Sequence, residues 1–199
     1  MKRFKIIFNT SFLVIFLTFN TSSFASTSSD FINNITKMAS NILSSEDSKE
    51  LKIEKLMKIG KESVDIDGIG LYTLGKHRKN LNESQKVEYT KIFRNYFLKS
   101  FSSRLVEYKE AQIVVISEDI KNDKYTIVKS KLLATSSRPE VSIDWRVYTK
   151  DLSKPLIRDL IIEGLSLART QREEFNSIIL NNNGDISALL ASLRDFNKK

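Results

Sequence analysis

The hydrophobic pattern changes its period near residue 110, and this change constrains the fold more than any other feature of the sequence. From residue 82 to about residue 108, apolar side chains recur every three or four positions, which predicts a long helix. Asn82 followed by Gln85 resembles the capping box that opens many helices. From Ile113 onwards apolar and polar residues alternate, which predicts strands. A long amphipathic helix followed by several strands is typical of an α+β domain.

Four alternating runs follow the long helix, and the connections between them are short. Short connections favour antiparallel pairing between neighbouring strands. The predicted strands begin at Ile113, Tyr125, Val141 and Leu156, the second runs to about Thr135, and turns are predicted at residues 119–123 and 151–155. The sequence therefore predicts a four-stranded antiparallel, curved sheet.

Helices are predicted on both sides of this segment. Asp30 is the predicted N-cap of a first helix, in which Phe31, Ile35, Met38 and Ile42 recur at helical spacing. Further helices are predicted at residues 51–64, 65–81, 167–181 and 185–196. The predicted fold is thus α+β, with N-terminal helices, the sheet, and C-terminal helices packed on one face to enclose an apolar pocket.

The first 25 residues have the composition of a cleavable signal peptide. Three positive charges precede an apolar run over residues 6–19, and the segment ends in Ser23-Phe24-Ala25, with small side chains where a signal peptidase reads. The run is shorter than the ~20 apolar residues that a membrane anchor needs. We therefore expect residues 1–25 to be removed on export, and residues 26–199 to form a single domain in the periplasm.

Composition argues against several classes of function. The net charge of +8 falls to about +5 without Lys2, Arg3 and Lys5, which is too small to predict nucleic-acid binding. The chain has no cysteine, and its one histidine, His77, is predicted to be an ordinary surface residue, so no metal, cofactor or catalytic triad is predicted. Asp159 and Glu163 could do acid–base chemistry, but such a pair more often makes hydrogen bonds or an ion pair at a strand end. No enzyme is predicted.

Aromatic residues are abundant, with 12 Phe, 6 Tyr and one Trp. From the residues alone two interpretations remain open. The aromatic side chains fill a large closed core, or they line a cavity between helices and sheet that holds an apolar ligand.

Several segments have the spacing of a known family. Residues 74–78 (Leu-Gly-Lys-His-Arg) precede the aromatic helix, and residues 159–167 contain an acid, a hydrophobic run and Glu-Gly-Leu-Ser. Arg172 and Phe175 follow three residues apart, and residues 183–185 form a closing Asn-Gly-Asp turn. From about residue 30 to 196, these features resemble the MlaC family of periplasmic phospholipid-binding proteins, also called toluene-tolerance auxiliary proteins.

Two positions depart from the family pattern. Arg78 stands where the family usually has tryptophan, and residues 154–156 (Lys-Pro-Leu) replace its usual glycine-tryptophan before the last strand. The first departure weakens inferences about helix packing and the second weakens those about the start of that strand.

The resemblance implies a monomeric phospholipid carrier. Such a carrier moves lipid between an outer-membrane lipoprotein–porin complex and the substrate-binding assembly of an inner-membrane ABC transporter. A periplasmic interaction module with a closed core and no lipid ligand is the alternative, and a hydrolase that uses the cleft is a more distant one.

Residues for the lipid tails are chosen by periodicity, and a register error of one residue would exchange the two strand faces. The predicted lipid contacts are Phe93, Tyr96, Phe97, Phe101, Ile113, Val115, Ile127, Leu132, Ile143, Trp145, Val147, Ile162 and Phe175. The structural motif comprises Gly75, Asp159, Glu163, Gly164, Ser166 and Arg172, of which Glu163 and Arg172 are expected to fix the strand-to-helix corner. The basic run 76–79 is interpreted as a solvated helix end, and contact with lipid head groups or partner proteins is the alternative interpretation.

Overall fold

The computed structural model describes residues 27–108 and 111–198, and the predicted signal peptide lies outside them. The helices are α1 (Ser28–Ser44), α2 (Lys49–Ser63), α3 (Ile66–Leu74), a 3₁₀ helix (Gly75–Lys79), α4 (Glu83–Leu105), α5 (Leu167–Asn181) and α6 (Ile186–Lys198). The strands are β1 (Ile113–Asn122), β2 (Tyr125–Leu132), β3 (Val141–Tyr148), β4 (Leu156–Ile162) and β5 (Leu165–Ser166). The predicted α+β class is confirmed, with one strand more than expected.

Local sequence signals set the helix starts. At α4 the predicted capping box is confirmed, because Asn82 accepts from the Gln85 backbone and Gln85 accepts from the Asn82 backbone. At α1 the prediction was wrong by one turn. Thr27 is the N-cap, and Asp30 is its capping-box partner three residues later.

The third helix is shorter than predicted. α3 ends at Leu74, and the chain continues as a 3₁₀ helix to Lys79 instead of one α-helix to Leu81. Gly75 ends α3 with φ +54° and ψ −126°, a conformation that residues with a Cβ rarely adopt. This change of direction brings the 3₁₀ helix beside α5, where His77 bonds Asn176.

The sheet is an antiparallel meander with strand order β1-β2-β3-β4-β5. β1 continues through the predicted turn at residues 119–123 and pairs with β2 as far as Asn122, with register shifts on the way. Pairing with β2 thus outweighs the turn preference of the charged residues. β2 ends at Leu132, earlier than the predicted Thr135, which makes only an isolated bridge with Arg138.

α4 lies at the centre of the helical layer. It contacts α2, α3 and α6, while α1 packs against β1 and β2, and α5 packs against β4. Buried side chains from α1, α3, α4, α5 and α6 and from β2, β3 and β4 form one continuous apolar cluster, and Met57 and Ile59 of α2 pack against it. None of the described helices combines the length and hydropathy needed to cross a membrane.

Candidate functional site

A row of aromatic rings runs along α4 at four-residue intervals. Ring centroids are 5.5 Å apart between Tyr89 and Phe93, 6.1 Å between Phe93 and Phe97, and 5.8 Å between Phe97 and Phe101. Residues four apart lie on one face of a helix, so the row follows from the sequence spacing. Tyr89 and Phe93 are fully buried, whereas Phe97 and Phe101 are half-buried.

Rings from α5 and α6 extend this row sideways. Phe175 lies edge-on to Phe93 with centroids 6.2 Å apart, and Tyr96 lies 5.9 Å from Phe175 and 4.9 Å from Phe196. The Tyr96 hydroxyl donates to Gln171 Oε1 at 2.8 Å. Burial raises the pKa of Tyr96, so this hydroxyl stays protonated at neutral pH.

The buried end of the row rests on α3. The Tyr89 hydroxyl donates to the Gly70 carbonyl at 3.1 Å and lies 2.9 Å from the Thr73 hydroxyl. Burial raises the pKa of Tyr89, and the hydrogen bond with Thr73 opposes that shift. A Cβ on Gly70 would lie 2.8 Å from Phe93 Cδ1, so this glycine allows the Phe93 ring to pack directly on the α3 backbone.

One face of the sheet contributes further buried side chains. Trp145 on β3 is buried, and its indole N–H donates to the Ser130 hydroxyl at 2.8 Å. Ser130 in turn donates to the Ile143 carbonyl at 2.9 Å, so this buried polar pair satisfies itself. We use the name apolar layer for this sheet face together with the rings of α4, α5 and α6.

The structure brings most of the predicted tail-contact residues into this layer. Those in the apolar cluster, or packed against it, are Phe93, Tyr96, Phe97, Ile113, Val115, Leu132, Ile143, Trp145, Val147 and Phe175. Phe101 extends the layer by stacking on Phe97, and half-buried Ile162 pairs with Ile143.

Ile127 departs from the prediction. In the β2–β3 register it pairs with Arg146, whereas its neighbour Val128 pairs with Trp145. Directly paired residues share a face, so Ile127 lies on the opposite face from Trp145. Val128, and not Ile127, lies in the apolar layer. Val128, Ser130 and Leu132 alternate along β2, so the sequence places Val128 on the same strand face as Leu132.

A buried carboxylate holds the corner between β4 and α5. Asp159 accepts from the Ser166 hydroxyl at 2.6 Å and from the Ala168 backbone N–H at 3.0 Å. Arg146 Nη1 lies 3.5 Å from the same carboxylate. Ser166 caps α5 by accepting from the Arg169 backbone at 3.1 Å. These contacts connect the last long strand to the helix that carries Phe175.

The β4–β5 connection is a two-residue turn at Glu163 and Gly164. Their φ values of +48° and +81° are the pair of positive values that a type I′ turn requires. The Glu163 carboxylate also accepts from the Ser142 backbone N–H on β3. The corner between β4 and α5 therefore contains Glu163, Gly164, Asp159 and Ser166.

Arg172 does not lie at the corner, contrary to expectation. Its guanidinium Cζ lies 5.3 Å from the centre of the Tyr72 ring, and a Cβ on Gly75 would lie 2.7 Å from Arg172 Nε. His77 is buried, not an ordinary surface residue, and its Nε2 donates to Asn176 Oδ1 at 2.9 Å. Both contacts arise because α5 packs beside α3 and the 3₁₀ helix. These segments are distant in sequence, since His77 and Asn176 are 99 residues apart.

A cleft of about 390 Å³ separates these elements. Tyr72, Leu74, Gly75, Lys76 and His77 line one side of it, and Arg169, Arg172, Glu173 and Asn176 line the other. We call this feature the basic cleft. In the described part of the chain, no three His, Cys, Asp or Glu side chains are placed to hold a metal ion.

The fold and the site define a class of protein: an α+β domain in which helices cover one face of an antiparallel meander, with an aromatic layer between them. Residues 32–195 match the model of the MlaC protein family, so the chain belongs to the MlaC family, as predicted.

A solved structure shares this fold. It is a phospholipid-binding protein from Ralstonia solanacearum, determined in complex with a phospholipid, and it superposes with a TM-score of 0.70. The two chains are 15% identical over 85% of this chain and 96% of the other. No curated protein is significantly similar to the chain in sequence.

Proposed function

We propose that this protein is a phospholipid carrier that holds lipid tails in the apolar layer. The observation that carries the proposal is the continuous aromatic row along α4, of which Tyr89, Phe93 and Phe97 belong to or pack against the apolar cluster that the helices share with the sheet. Membership of the MlaC family supports it, as does the fold shared with a protein that binds a phospholipid.

The length of the row suits an acyl chain. Twelve residues separate Tyr89 from Phe101, which corresponds to roughly 18 Å along a helix that rises 1.5 Å per residue. The tails of one leaflet span about 15 Å, half of the ~30 Å hydrocarbon core of a bilayer. A tail laid along the row would therefore be covered over most of its length.

The energetic reason for such a carrier is the insolubility of lipid tails. Each methylene left in water costs about 0.8 kcal/mol, so two tails of about 16 carbons face roughly 20 kcal/mol or more. A protein that covers the tails lowers this barrier without chemistry. In this structure the rings pack against one another, so tails enter only if the helices move away from the sheet and ring–ring contacts are replaced by ring–methylene contacts.

The cellular role that we propose is transport across the periplasm. The export signal predicted at residues 1–25 would deliver the chain to that compartment. There the carrier, as a monomer, moves phospholipid between an outer-membrane lipoprotein–porin complex and an inner-membrane ABC transporter assembly. No enzymatic step is part of this role.

The single tryptophan provides the experiment. Trp145 lies in the apolar layer, so phospholipids brominated at successive tail carbons should quench its fluorescence with a maximum at one tail depth. A Trp145→Phe variant, which has no tryptophan, gives the background signal.

Two outcomes separate the proposal from its alternative. Depth-dependent quenching, together with a diacyl phospholipid mass in native mass spectrometry, supports the carrier. Unquenched fluorescence and a protein that takes up no lipid from vesicles contradict it, and they favour an interaction module with a closed core.

A further inference from the structure

We propose that the basic cleft binds the phosphate group of the phospholipid. This inference rests on the proposed function and adds where the head group lies. The cleft's volume of about 390 Å³ is within the range of small-ligand sites. Its chemistry and its position relative to the apolar layer identify the ligand.

The charges of the cleft favour an anion. Lys76, Arg169 and Arg172 line it together with one acid, Glu173. Within the described residues, none of these three cations forms an ion pair, whereas Arg94, Arg158 and Arg194 each do. An anion that enters the cleft therefore meets cationic groups that are not already neutralised by a partner.

Arg172 is held in a position that suits a phosphate. Its guanidinium lies over the Tyr72 ring and against Gly75, where a Cβ would approach Nε to 2.7 Å. Contact with a ring and a glycine backbone restricts the side chain, although Arg172 as a residue is exposed and lines the cleft. A guanidinium can donate two parallel hydrogen bonds to a phosphate, which makes it a stronger anchor than a lysine ammonium.

The wall beside Arg172 is fixed by a partly buried hydrogen bond. His77 is 8% exposed and donates from Nε2 to Asn176 Oδ1, which ties the 3₁₀ helix to α5 one turn beyond Arg172. The cleft is therefore bordered by connected elements and not by loose loops.

The floor of the cleft adjoins the apolar cluster that contains the buried rings of the layer. Leu74 lines the cleft, is 2% exposed, and belongs to the same apolar cluster as Phe93 and Phe175. Phe175 follows Arg172 by three residues, one turn along α5. A phosphate at Arg172 would therefore place its ester-linked tails beside the buried end of the aromatic row.

The test compares two lipids with identical tails. Lipid-free protein is mixed with vesicles containing either phosphatidylglycerol or diacylglycerol, and bound lipid is measured by mass spectrometry and by Trp145 quenching. We expect wild type to prefer phosphatidylglycerol by about tenfold or more, as a charge-assisted hydrogen bond would give. Arg172→Gln should lose most of this preference and keep its affinity for diacylglycerol.

Arg78→Gln is the matched control. Arg78 is exposed on the same 3₁₀ helix and does not line the cleft, so its replacement removes the same charge from the same region. It should leave the preference for phosphatidylglycerol unchanged. If both variants lose this preference equally, general surface charge accounts for it, and the assignment of the basic cleft as the phosphate site is overturned.

The remaining outcomes separate the two proposals. Wild type that binds both lipids equally contradicts the head-group site but leaves the carrier intact, while wild type that binds neither contradicts the carrier itself. Titration of lipid-free protein with glycerol 3-phosphate distinguishes the source of the phosphate. Binding of this soluble ester that depends on Arg172, without any effect of Arg172→Gln on lipid, would overturn the assignment to a lipid head group.

Discussion

The apolar layer and the basic cleft lie side by side but are built in opposite ways. In the layer, Phe93 and Phe175 are almost fully buried, and most contacts are between rings and aliphatic side chains. In the cleft, Arg169, Arg172 and Glu173 are exposed and line a volume of about 390 Å³. Among the described residues that line the cleft, only Leu74 also belongs to the apolar cluster of which the layer is part. Variants in the layer should therefore change stability and lipid binding together, whereas variants of the exposed charged side chains in the cleft should change binding alone.

The sharpest test of this difference is Phe93→Ala in the layer. Phe93 is 1% exposed and its ring meets those of Tyr89, Tyr96, Phe97 and Phe175. Removing it leaves a cavity, which we expect to lower the free energy of unfolding by about 3–5 kcal/mol. Urea unfolding followed by circular dichroism measures the change.

A matched variant on the same helix controls for helix propensity. Val87 is 71% exposed, so Val87→Ala should change the free energy of unfolding by no more than about 0.5 kcal/mol. A loss below about 1 kcal/mol for Phe93→Ala would mean that the layer collapses around the gap, and the contrast with the cleft would fail.

A pair of glycine variants tests the cleft. Gly75 has φ +54° and Gly184 has φ +81°, so an alanine at either position is strained by about 1–3 kcal/mol. Gly184 has open space around it, whereas a Cβ at Gly75 also displaces Arg172. We expect both variants to lose similar stability in thermal unfolding, and only Gly75→Ala to weaken phosphatidylglycerol binding. If Gly75→Ala and Gly184→Ala weaken phosphatidylglycerol binding equally, Gly75 has no specific role in the cleft.

A third test concerns the polar pair within the layer. Ser130→Ala removes the acceptor of the Trp145 indole N–H and leaves a buried donor unsatisfied. We expect a loss of about 1–2 kcal/mol in the free energy of unfolding and a shift of tryptophan emission. Ser142→Ala, at an exposed position of β3, is the control and should change neither. An unchanged emission spectrum would show that the hydrogen bond does not position the indole.

The layer was more predictable from sequence than the cleft. Ring spacing on α4 and alternation on β3 are local patterns, and they led to Phe93, Phe97, Ile143 and Trp145 because burial of an apolar face follows from periodicity. Ile127 shows the limit of this reasoning. On β2 both faces carry β-branched residues, so neither face stood out by composition. Alternation with the predicted contact Leu132 favoured Val128 over Ile127, and the register with β3 agrees with it.

The cleft depends on contacts between distant segments. His77 and Arg172 are ordinary polar residues in their local sequence, and only the packing of α5 beside the 3₁₀ helix buries one and positions the other. Gly75 has the clearest local signal, since a glycine within a helical pattern often marks its end. Its positive φ shortened α3 and created one side of the cleft.

The smallest expected effect belongs to a surface ion pair that serves neither region. Arg94 on α4 donates to the Asp67 carboxylate on α3, through Nε to Oδ1 at 2.6 Å, and this bond lowers the pKa of Asp67. Both side chains are about half exposed, so the pair contributes only about 0.5 kcal/mol. Because the folded pKa lies below the ordinary value of 3.8, this contribution is present at neutral pH and is lost as pH falls through the lowered pKa. Arg94→Gln should therefore be slightly less stable than wild type in urea at pH 7, and the difference should shrink under acidic conditions. A difference that persists after Asp67 is protonated would mean that Arg94 stabilises α4 by packing and not by charge.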